Sequence, residues 1–221
     1  MVGGDVAAGP MPVETIERLM GLGAKARFIR GNADRELVAA YDQGPGLPGD
    51  PLNPGRQAVA WVASCLERPH RDFLATFEEY VIIEVTGIGQ VVFCHCPPRS
   101  DEEIITVATP DPQLREMLAG IEQPLVVCGH THMQFDRRVE MIRVVNVGSV
   151  GVPYESTPGA YWLLLGARIS PRCSDYDIHA AAGKIRGTGF PAAEGMLRHL
   201  INPVDPAAAV AFFERQAGRE T

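Results

Sequence analysis

The feature that most constrains this chain is the stretch of residues 126–132, Val-Val-Cys-Gly-His-Thr-His. The apolar run of residues 125–128 predicts a short buried strand, which Gly129 ends. His130 and His132 follow at once, two positions apart. The end of a buried strand holds the backbone of the next residues in a defined position. We therefore expect both imidazoles to lie in one small volume, where they can bind a transition metal. The alternative is a polar turn with two incidental histidines. Ligand-type residues at the ends of the other predicted strands favour the metal site over this alternative.

The first 41 residues alternate between predicted strands and helices. Residues 2–5 predict the end of a strand that stops at Asp5, and residues 26–30 predict a second strand, which leads into Asn32 and Asp34. Helical patterns follow at residues 10–23 and 35–41. This alternation is typical of α/β proteins, in which sites gather beyond the carboxyl ends of the strands.

The remaining sequence continues the mixture of strands and helices. The segment 44–55, rich in glycine and proline, predicts a surface loop. The further predicted elements are helix 57–66, a hairpin of strands 81–85 and 90–94, helix 111–118, strands 137–141, 142–147 and 160–165, and helices 178–185, 192–200 and 206–216. We expect one domain over residues 1–221, with the motifs in residues 2–155 and a C-terminal strand and helices in residues 160–221.

Composition excludes several classes of partner. The formal net charge is −7 and the sequence contains no run of Lys and Arg, so long nucleic acids are not expected to bind, although a bound cation would attract a small phosphate ester. No apolar run reaches the ~18 residues of a membrane span. The five cysteines are scattered and no signal-peptide pattern precedes them, which predicts reduced thiols and a cytoplasmic protein. The sequence leaves open whether the protein forms a homo-oligomer.

Five residues with metal-binding side chains share one property, which is that each directly follows a predicted strand. They are Asp5, Asn32, His95, His130 and His132. Their oxygen and nitrogen atoms suit borderline divalent ions rather than a soft thiolate site, so manganese is expected, with iron, zinc or nickel as alternatives. Two such ions about 3.5–4 Å apart can clamp the attacking and leaving oxygens of a phosphoryl displacement.

The ordered set Gly4-Asp5, Gly31-Asn32-Ala33-Asp34, Cys94-His95 and Gly129-His130-Thr131-His132 resembles the calcineurin-like metallophosphoesterase superfamily. The resemblance is to its small bacterial and archaeal phosphodiesterase branch and covers residues 2–155. It implies an α/β (α+β) fold, a two-layer β-sandwich of mixed sheets flanked by helices. It also implies hydrolysis of a phosphodiester or phosphomonoester by a metal-bound hydroxide, with a small phosphate ester as substrate.

The resemblance assigns roles to individual residues. Asp5 resembles the bridging ligand, His132 a ligand of the first metal, and the second metal would be bound by Asn32, His95 and His130. Asn32 and Asp34 are the catalytic candidates, because Asp34 can orient a water or the leaving group. Arg99 is the candidate for binding the substrate phosphate.

The sequence departs from the family pattern in three ways, and the missing first strand leaves a second hypothesis open. The family begins with an Asp-x-His strand that supplies two more ligands of the first metal, and this sequence has nothing upstream of Asp5 to match it. Ala33 stands where many members have a proton-donating His, and Cys96 replaces the usual small Gly. We expect a natural start upstream of Met1, about one βα unit earlier. The alternative is a catalytically impaired member that binds one metal or phosphate, or an interaction protein.

Each candidate also has a structural alternative. Asp5 can cap a turn, Asn32 can be a left-handed turn residue, and His95 a satisfied core histidine. Asp34 can be a helix-start carboxylate and Arg99 a solvated loop residue. Cys94, Cys96 and Cys128 are expected to be small buried hydrophobic residues, with a zinc cage made by these three as the rival hypothesis. Asn146 and Ser149 are expected to stabilise their turn, and His179 and His199 to lie on helices without a chemical role.

Overall fold

The computed structural model describes residues 1–44, 53–166 and 168–219. Its helices are α1 Pro12–Met20, α2 Asn32–Gln43, α3 Pro54–Cys65, α4 Arg68–Leu74, α5 Asp111–Met117, α6 Ile178–Arg186, α7 Ala193–Ile201 and α8 Pro206–Gln216, with a short 3-10 turn at Gly23–Lys25. Its strands are β1 Tyr80–Val85, β2 Gly89–Cys94, β3 Leu125–Cys128, β4 Gln134–Val139, β5 Ile142–Val147, β6 Ala160–Leu165 and β7 Ile169–Ser174.

The chain forms two compact units. The first contains Met1–Glu78 and Asp177–Leu200, and the second contains Glu79–Tyr176 and Ile201–Thr221. The single-domain organisation expected from the sequence remains a prediction.

The first unit is a helical layer over short strand-like segments. Apolar residues of α1 to α4 form one core, in which Ile16, Leu37 and Leu74 are completely buried. Full burial of each such side chain contributes about 1.5–3 kcal/mol. Single parallel bridges join Val2 to Phe28 and Ile29 to Glu78. These bridges bring the end of the first segment next to the start of α2.

The second unit is built on a mixed five-stranded sheet of order β1-β2-β3-β5-β4. Strands β2, β3 and β5 are parallel, while β1 and β4 pair antiparallel at the two edges. The central strand β3 is buried along its whole length, as its continuous apolar run requires. A second sheet is the β6-β7 hairpin. Because parallel strands end at the same edge, the segments after Cys94, Cys128 and Val147 emerge side by side.

The comparison with the sequence-based predictions confirms the fold class, a mixed α/β fold with a mixed sheet flanked by helices. The 81–94 hairpin, β3, β5, β6 and the C-terminal helices lie where they were expected. The strands predicted at 2–5 and 26–30 are wrong as full strands, because pairing there is limited to single bridges. Along the described residues, no helix has the length and apolar character that crossing a bilayer demands.

Several boundaries differ for physical reasons. The predicted loop 44–55 is wrong at its end, because Pro54 and Gly55 open α3 and the Asn53 side chain accepts a hydrogen bond from the Arg56 N–H. Residues 45–52 of that loop lie outside the described residues. Helix α4 was missed because it is short, and β7 because Pro171 interrupts its pattern. Strand β4 begins three residues before its predicted start.

A buried carboxylate holds α8 in the second unit. Glu214 is 2% exposed, and its Oε1 accepts hydrogen bonds from the hydroxyls of Thr106 at 2.6 Å and Thr109 at 3.3 Å. The Arg219 guanidinium donates to both carboxylate oxygens, at 2.6 and 2.9 Å. Burial alone would raise the pKa of Glu214, but donation from Arg219 and Thr106 outweighs it, and the pKa lies below its usual value.

We expect the substitution Glu214→Gln to lower the free energy of unfolding by about 3–5 kcal/mol at pH 7, since it leaves the Arg219 guanidinium without its counter-charge. Urea unfolding measures this loss. The folded-state pKa is lowered, so the contribution of Glu214 is complete above its unfolded pKa near 4.5 and disappears as the pH falls through the folded pKa. The difference between the two proteins should therefore shrink at low pH.

Glu116→Gln is the matched control, because the Glu116 side chain is 75% exposed. It should change the unfolding free energy by less than about 0.5 kcal/mol. A Glu214→Gln protein as stable as the parent at pH 7 would show that the network does not hold α8.

Candidate metal centre

Two of the predicted ligands lie next to each other at the edge of the five-stranded sheet. His95 follows β2 and is 3% exposed, and His130 follows β3. Their Nε2 and Nδ1 atoms are 3.1 Å apart. Two imidazole nitrogens bound to one tetrahedral zinc ion are separated by about 3.3 Å, given Zn–N bonds of about 2.0–2.1 Å. The spacing of this pair therefore fits coordination of a single divalent ion.

Cys96 completes a group of three. Its Sγ and one ring nitrogen each of His95 and His130 all lie within 4.8 Å of one another. Within the described ranges, this is the one group of three or more His, Cys, Asp and Glu side chains spaced to hold an ion. The group contains two of the predicted ligands, His95 and His130. It adds Cys96 and does not include Asp5 or His132.

His132 is held in a defined orientation. Its Nδ1 lies 2.8 Å from the carbonyl oxygen of Val152, and because a carbonyl only accepts, Nδ1 carries the proton. The lone pair of the neutral ring is then on Nε2, the usual arrangement for a metal-binding histidine. The ring also stacks on Tyr154, with centroids 5.6 Å apart and planes at 23°.

A buried amide fixes the turn between the two histidines. Asn146, at 1% exposure, donates from Nδ2 to the Gly129 carbonyl at 2.5 Å and to the Thr131 hydroxyl at 3.0 Å. Its Oδ1 accepts from the Gly148 N–H at 2.9 Å. The Thr131 hydroxyl donates in turn to the Ile105 carbonyl. Asn146 therefore stabilises its own turn, as expected, and also determines the path of the backbone that presents the histidines.

The backbone is strained at three predicted ligands. Four non-glycine residues in the described part of the chain have left-handed φ values, and three of them are Asp5 (55°), His130 (66°) and His132 (59°). The fourth, Glu140, lies in the tight β4–β5 turn. Such conformations cost of order 1–3 kcal/mol each, and they cluster at functional sites. The left-handed φ values at three of the predicted ligands are consistent with a functional role for these positions.

Within the first unit, Asp5 and Asp34 lie around the N-terminus of α2. The Asp5 Oδ1 accepts from the Ala33 N–H at 2.9 Å. The Asp34 carboxylate is fully buried and accepts from the backbone N–H groups of Asp5, Val6 and Gly31 at 2.8–3.0 Å. Burial raises the pKa of Asp34 to about 6, with the N–H donors opposing that rise and the charge of Asp5 adding to it.

Asn32 carries a buried polar atom in the first unit. Its Oδ1 is buried and makes no hydrogen bond within the structure. A buried amide oxygen left in this state costs about 1–3 kcal/mol, so such atoms usually indicate an ion or another ligand. Oxygen is a ligand that divalent ions accept, and the residue fits the role that the sequence predicted for it. The alternative of a left-handed turn is wrong, because Asn32 is the first residue of α2.

Two candidates have contacts that favour their structural alternatives. The carboxylate of Asp34 is occupied by three backbone donors and is not exposed, which is the geometry of a helix-start carboxylate. The guanidinium of Arg99 pairs with Glu103 at 2.6–3.0 Å and donates to the Glu116 carbonyl, as expected of a loop arginine. Direct catalytic and substrate-binding roles for these two residues remain predictions.

The zinc cage of three cysteines does not form. Cys94 and Cys128 belong to the apolar core around Val92 and Val126. Burial raises the pKa of Cys128 to about 12 and that of Cys94 well above its usual value, so both stay protonated thiols. Cys96 is the cysteine near the histidines. Its adjacency to His95 could not distinguish it in the sequence, because Cys94 is adjacent to the same histidine. His179, in contrast, lies exposed on α6, as expected.

Comparison with known proteins identifies the family of this chain. The family model of the calcineurin-like phosphoesterase superfamily domain matches residues 1–165. The chain therefore belongs to the calcineurin-like phosphoesterase superfamily, whose members generally bind divalent metals. No curated protein matches the chain at the significance level applied.

Two solved structures show the same fold. A hypothetical protein from Pyrococcus horikoshii has a TM-score of 0.73 at 18% identity, over 91% of this chain and 84% of its own. A metallophosphoesterase from Sphaerobacter thermophilus has a TM-score of 0.69 at 21% identity, over 90% of this chain and 86% of its own.

We expect Gly31→Ala to destabilise the protein by about 1–3 kcal/mol, because the new Cβ would lie 2.1 Å from the Asp5 Oδ1 and 2.7 Å from the Asp5 N. Urea unfolding of the metal-free protein measures the loss. Gly3→Ala is the control, since nothing lies within 4 Å of its added Cβ. Equal stability of the two variants would contradict the close approach of Asp5 to the start of α2.

Asn146→Asp keeps the shape and the acceptor for Gly148 but removes both amide donations to the 129–131 turn. We expect a loss of about 1–3 kcal/mol in unfolding free energy and weaker binding of divalent ions, measured by urea unfolding and by metal titration. Asn53→Asp is the matched control, because the Asn53 side chain only accepts a hydrogen bond at the start of α3. Unchanged metal affinity in Asn146→Asp would show that this amide does not position the histidines.

Proposed function

We propose that this protein is a divalent-metal-dependent phosphoesterase that hydrolyses small phosphate esters. The observation that carries the proposal is the 3.1 Å separation of the His95 Nε2 and the His130 Nδ1, in a chain that belongs to a phosphoesterase superfamily. The left-handed backbone at His130 and His132 supports it, since that strain has no evident structural use at these positions.

The proposed ligands are the five predicted from the sequence. His95, His130 and His132 supply nitrogen, and Asp5 and Asn32 supply oxygen, which suits manganese, with iron, zinc and nickel as alternatives. When bound, the ions would polarise the phosphoryl oxygens and lower the pKa of a water molecule.

Other residues near the motifs hold the proposed ligands in position. Asn146 fixes the loop that presents His130 and His132, and Val152 fixes the tautomer of His132. Ala33 has no proton to give to a leaving group, so this position cannot protonate it. We therefore expect faster hydrolysis of esters with acidic leaving groups, such as nitrophenyl esters, than of alkyl esters.

The test is hydrolysis of bis(p-nitrophenyl) phosphate and p-nitrophenyl phosphate by metal-stripped protein, before and after addition of manganese, iron, zinc or nickel. We expect turnover only with metal, and His130→Ala should lower kcat/KM by at least about a hundredfold, equivalent to about 2.7 kcal/mol of transition-state stabilisation. His179→Ala is the control histidine, because it is exposed on α6.

Two results would contradict the proposal. Turnover that survives His130→Ala would remove the assigned site. Metal binding without turnover on any tested ester would favour the alternative, a non-catalytic member that binds a metal or phosphate or acts as an interaction protein.

A further inference from the structure

The group around His95 and His130 contains a sulfur atom that the mixed oxygen and nitrogen ligand set does not explain. Cys96 is 3% exposed, and its Sγ lies within 4.8 Å of ligand nitrogens of both histidines. We infer that the Cys96 thiolate is a direct ligand of the ion bound by His95 and His130. The inference rests on the proposed metal-dependent function. A thiolate ligand would make the site selective for the softer ions zinc, iron(II) and cobalt(II) over manganese.

Local geometry separates Cys96 from the two neighbouring cysteines. Cys94 is the last residue of β2 and its Sγ points into the sheet core, 3.8 Å from the Val127 carbonyl oxygen. Cys128, the last residue of β3, lies in the same apolar cluster. Cys96 comes two residues after the end of β2, where the chain has left the sheet, and its sulfur lies with the ring nitrogens.

The spacing fits a mixed sulfur and nitrogen site. In a tetrahedral zinc site, with Zn–S about 2.3 Å and Zn–N about 2.0–2.1 Å, the ligand atoms are about 3.3–3.6 Å apart. The His95 and His130 nitrogens are 3.1 Å apart, and the Cys96 sulfur lies within 4.8 Å of a nitrogen of each ring. A backbone hydrogen bond joins the two segments that carry the histidines, because the Gly129 N–H donates to the His95 carbonyl at 3.0 Å.

Ligand chemistry then sets the choice of ion. A thiolate is a soft ligand that strengthens binding of zinc, iron(II) and cobalt(II) much more than binding of manganese, which prefers oxygen. Binding also releases the thiol proton to solvent, so one proton leaves for each ion bound through sulfur. A serine at this position would keep the volume and remove the soft donor.

The test is titration of cobalt(II) into the metal-stripped protein of residues 1–221, followed by absorption spectroscopy. The parent protein should show visible ligand-field bands and a near-ultraviolet sulfur-to-cobalt charge-transfer band. Cys96→Ser should lose the charge-transfer band, keep visible bands from the histidines, and lower zinc affinity by more than about tenfold, since even outer-shell partners are worth 10–100-fold. Cys128→Ala is the matched control and should keep the charge-transfer band.

Each other outcome overturns a defined part of the account. Visible bands without a charge-transfer band in the parent protein would reject Cys96 as a ligand and leave the proposed metal centre intact. Absence of any cobalt binding would reject the metal centre and the inference together. Zinc-edge X-ray absorption of the parent protein is independent of every variant: it should detect one Zn–S distance near 2.3 Å, and a shell of nitrogen and oxygen alone would overturn the inference.

Discussion

The turn at residues 129–132 depends on a few buried hydrogen bonds that hold it against its own backbone preference. His130 and His132 both have left-handed φ values, at 66° and 59°, which few non-glycine residues adopt, although Asn, Asp and His are enriched among those that do. The Asn146 amide offsets part of that cost by donating to the Gly129 carbonyl and the Thr131 hydroxyl. Without those bonds, a more relaxed turn would direct the imidazoles elsewhere.

The parallel strands explain why this one turn organises so many side chains. Strands β2, β3 and β5 end at the same edge of the sheet, so His95, His130 and Asn146 come from distant parts of the sequence to neighbouring places in the second unit. The hydrogen bonds of Glu214 reach the neighbourhood of this turn. They join α8 to Thr106, and the carbonyl of the preceding residue, Ile105, accepts a hydrogen bond from the Thr131 hydroxyl. The hydrogen bonds of Glu214 and of Thr131 thus end on two consecutive residues, Thr106 and Ile105.

Much of this arrangement could be predicted from the sequence, because the responsible patterns are local. The apolar run before Gly129 predicted β3, and alternating strands and helices predicted the fold class. His95 and His130 follow β2 and β3, as the sequence predicted. The predicted strand at 26–30 failed because the sequence does not show how many residues pair, and only single bridges form. Short α4 and the Pro-containing β7 lacked a periodic signal altogether.

The functional detail that could not be predicted depends on contacts between distant residues. Asp34 has the composition of a catalytic carboxylate, and only the structure shows three backbone donors around it. Cys96 looked like another buried cysteine, since sequence alone does not say which of Cys94 and Cys96 faces the core. The orphaned Oδ1 of Asn32 and the strained backbone at Asp5 are likewise properties of the folded chain.

The most direct measurement of the central claim is an anomalous difference map from crystals grown with manganese or zinc, recorded at the absorption edge of the added metal. The account predicts a peak within bonding distance of both the His95 Nε2 and the His130 Nδ1. Crystals grown with millimolar metal that show no peak beside these two nitrogens would contradict it.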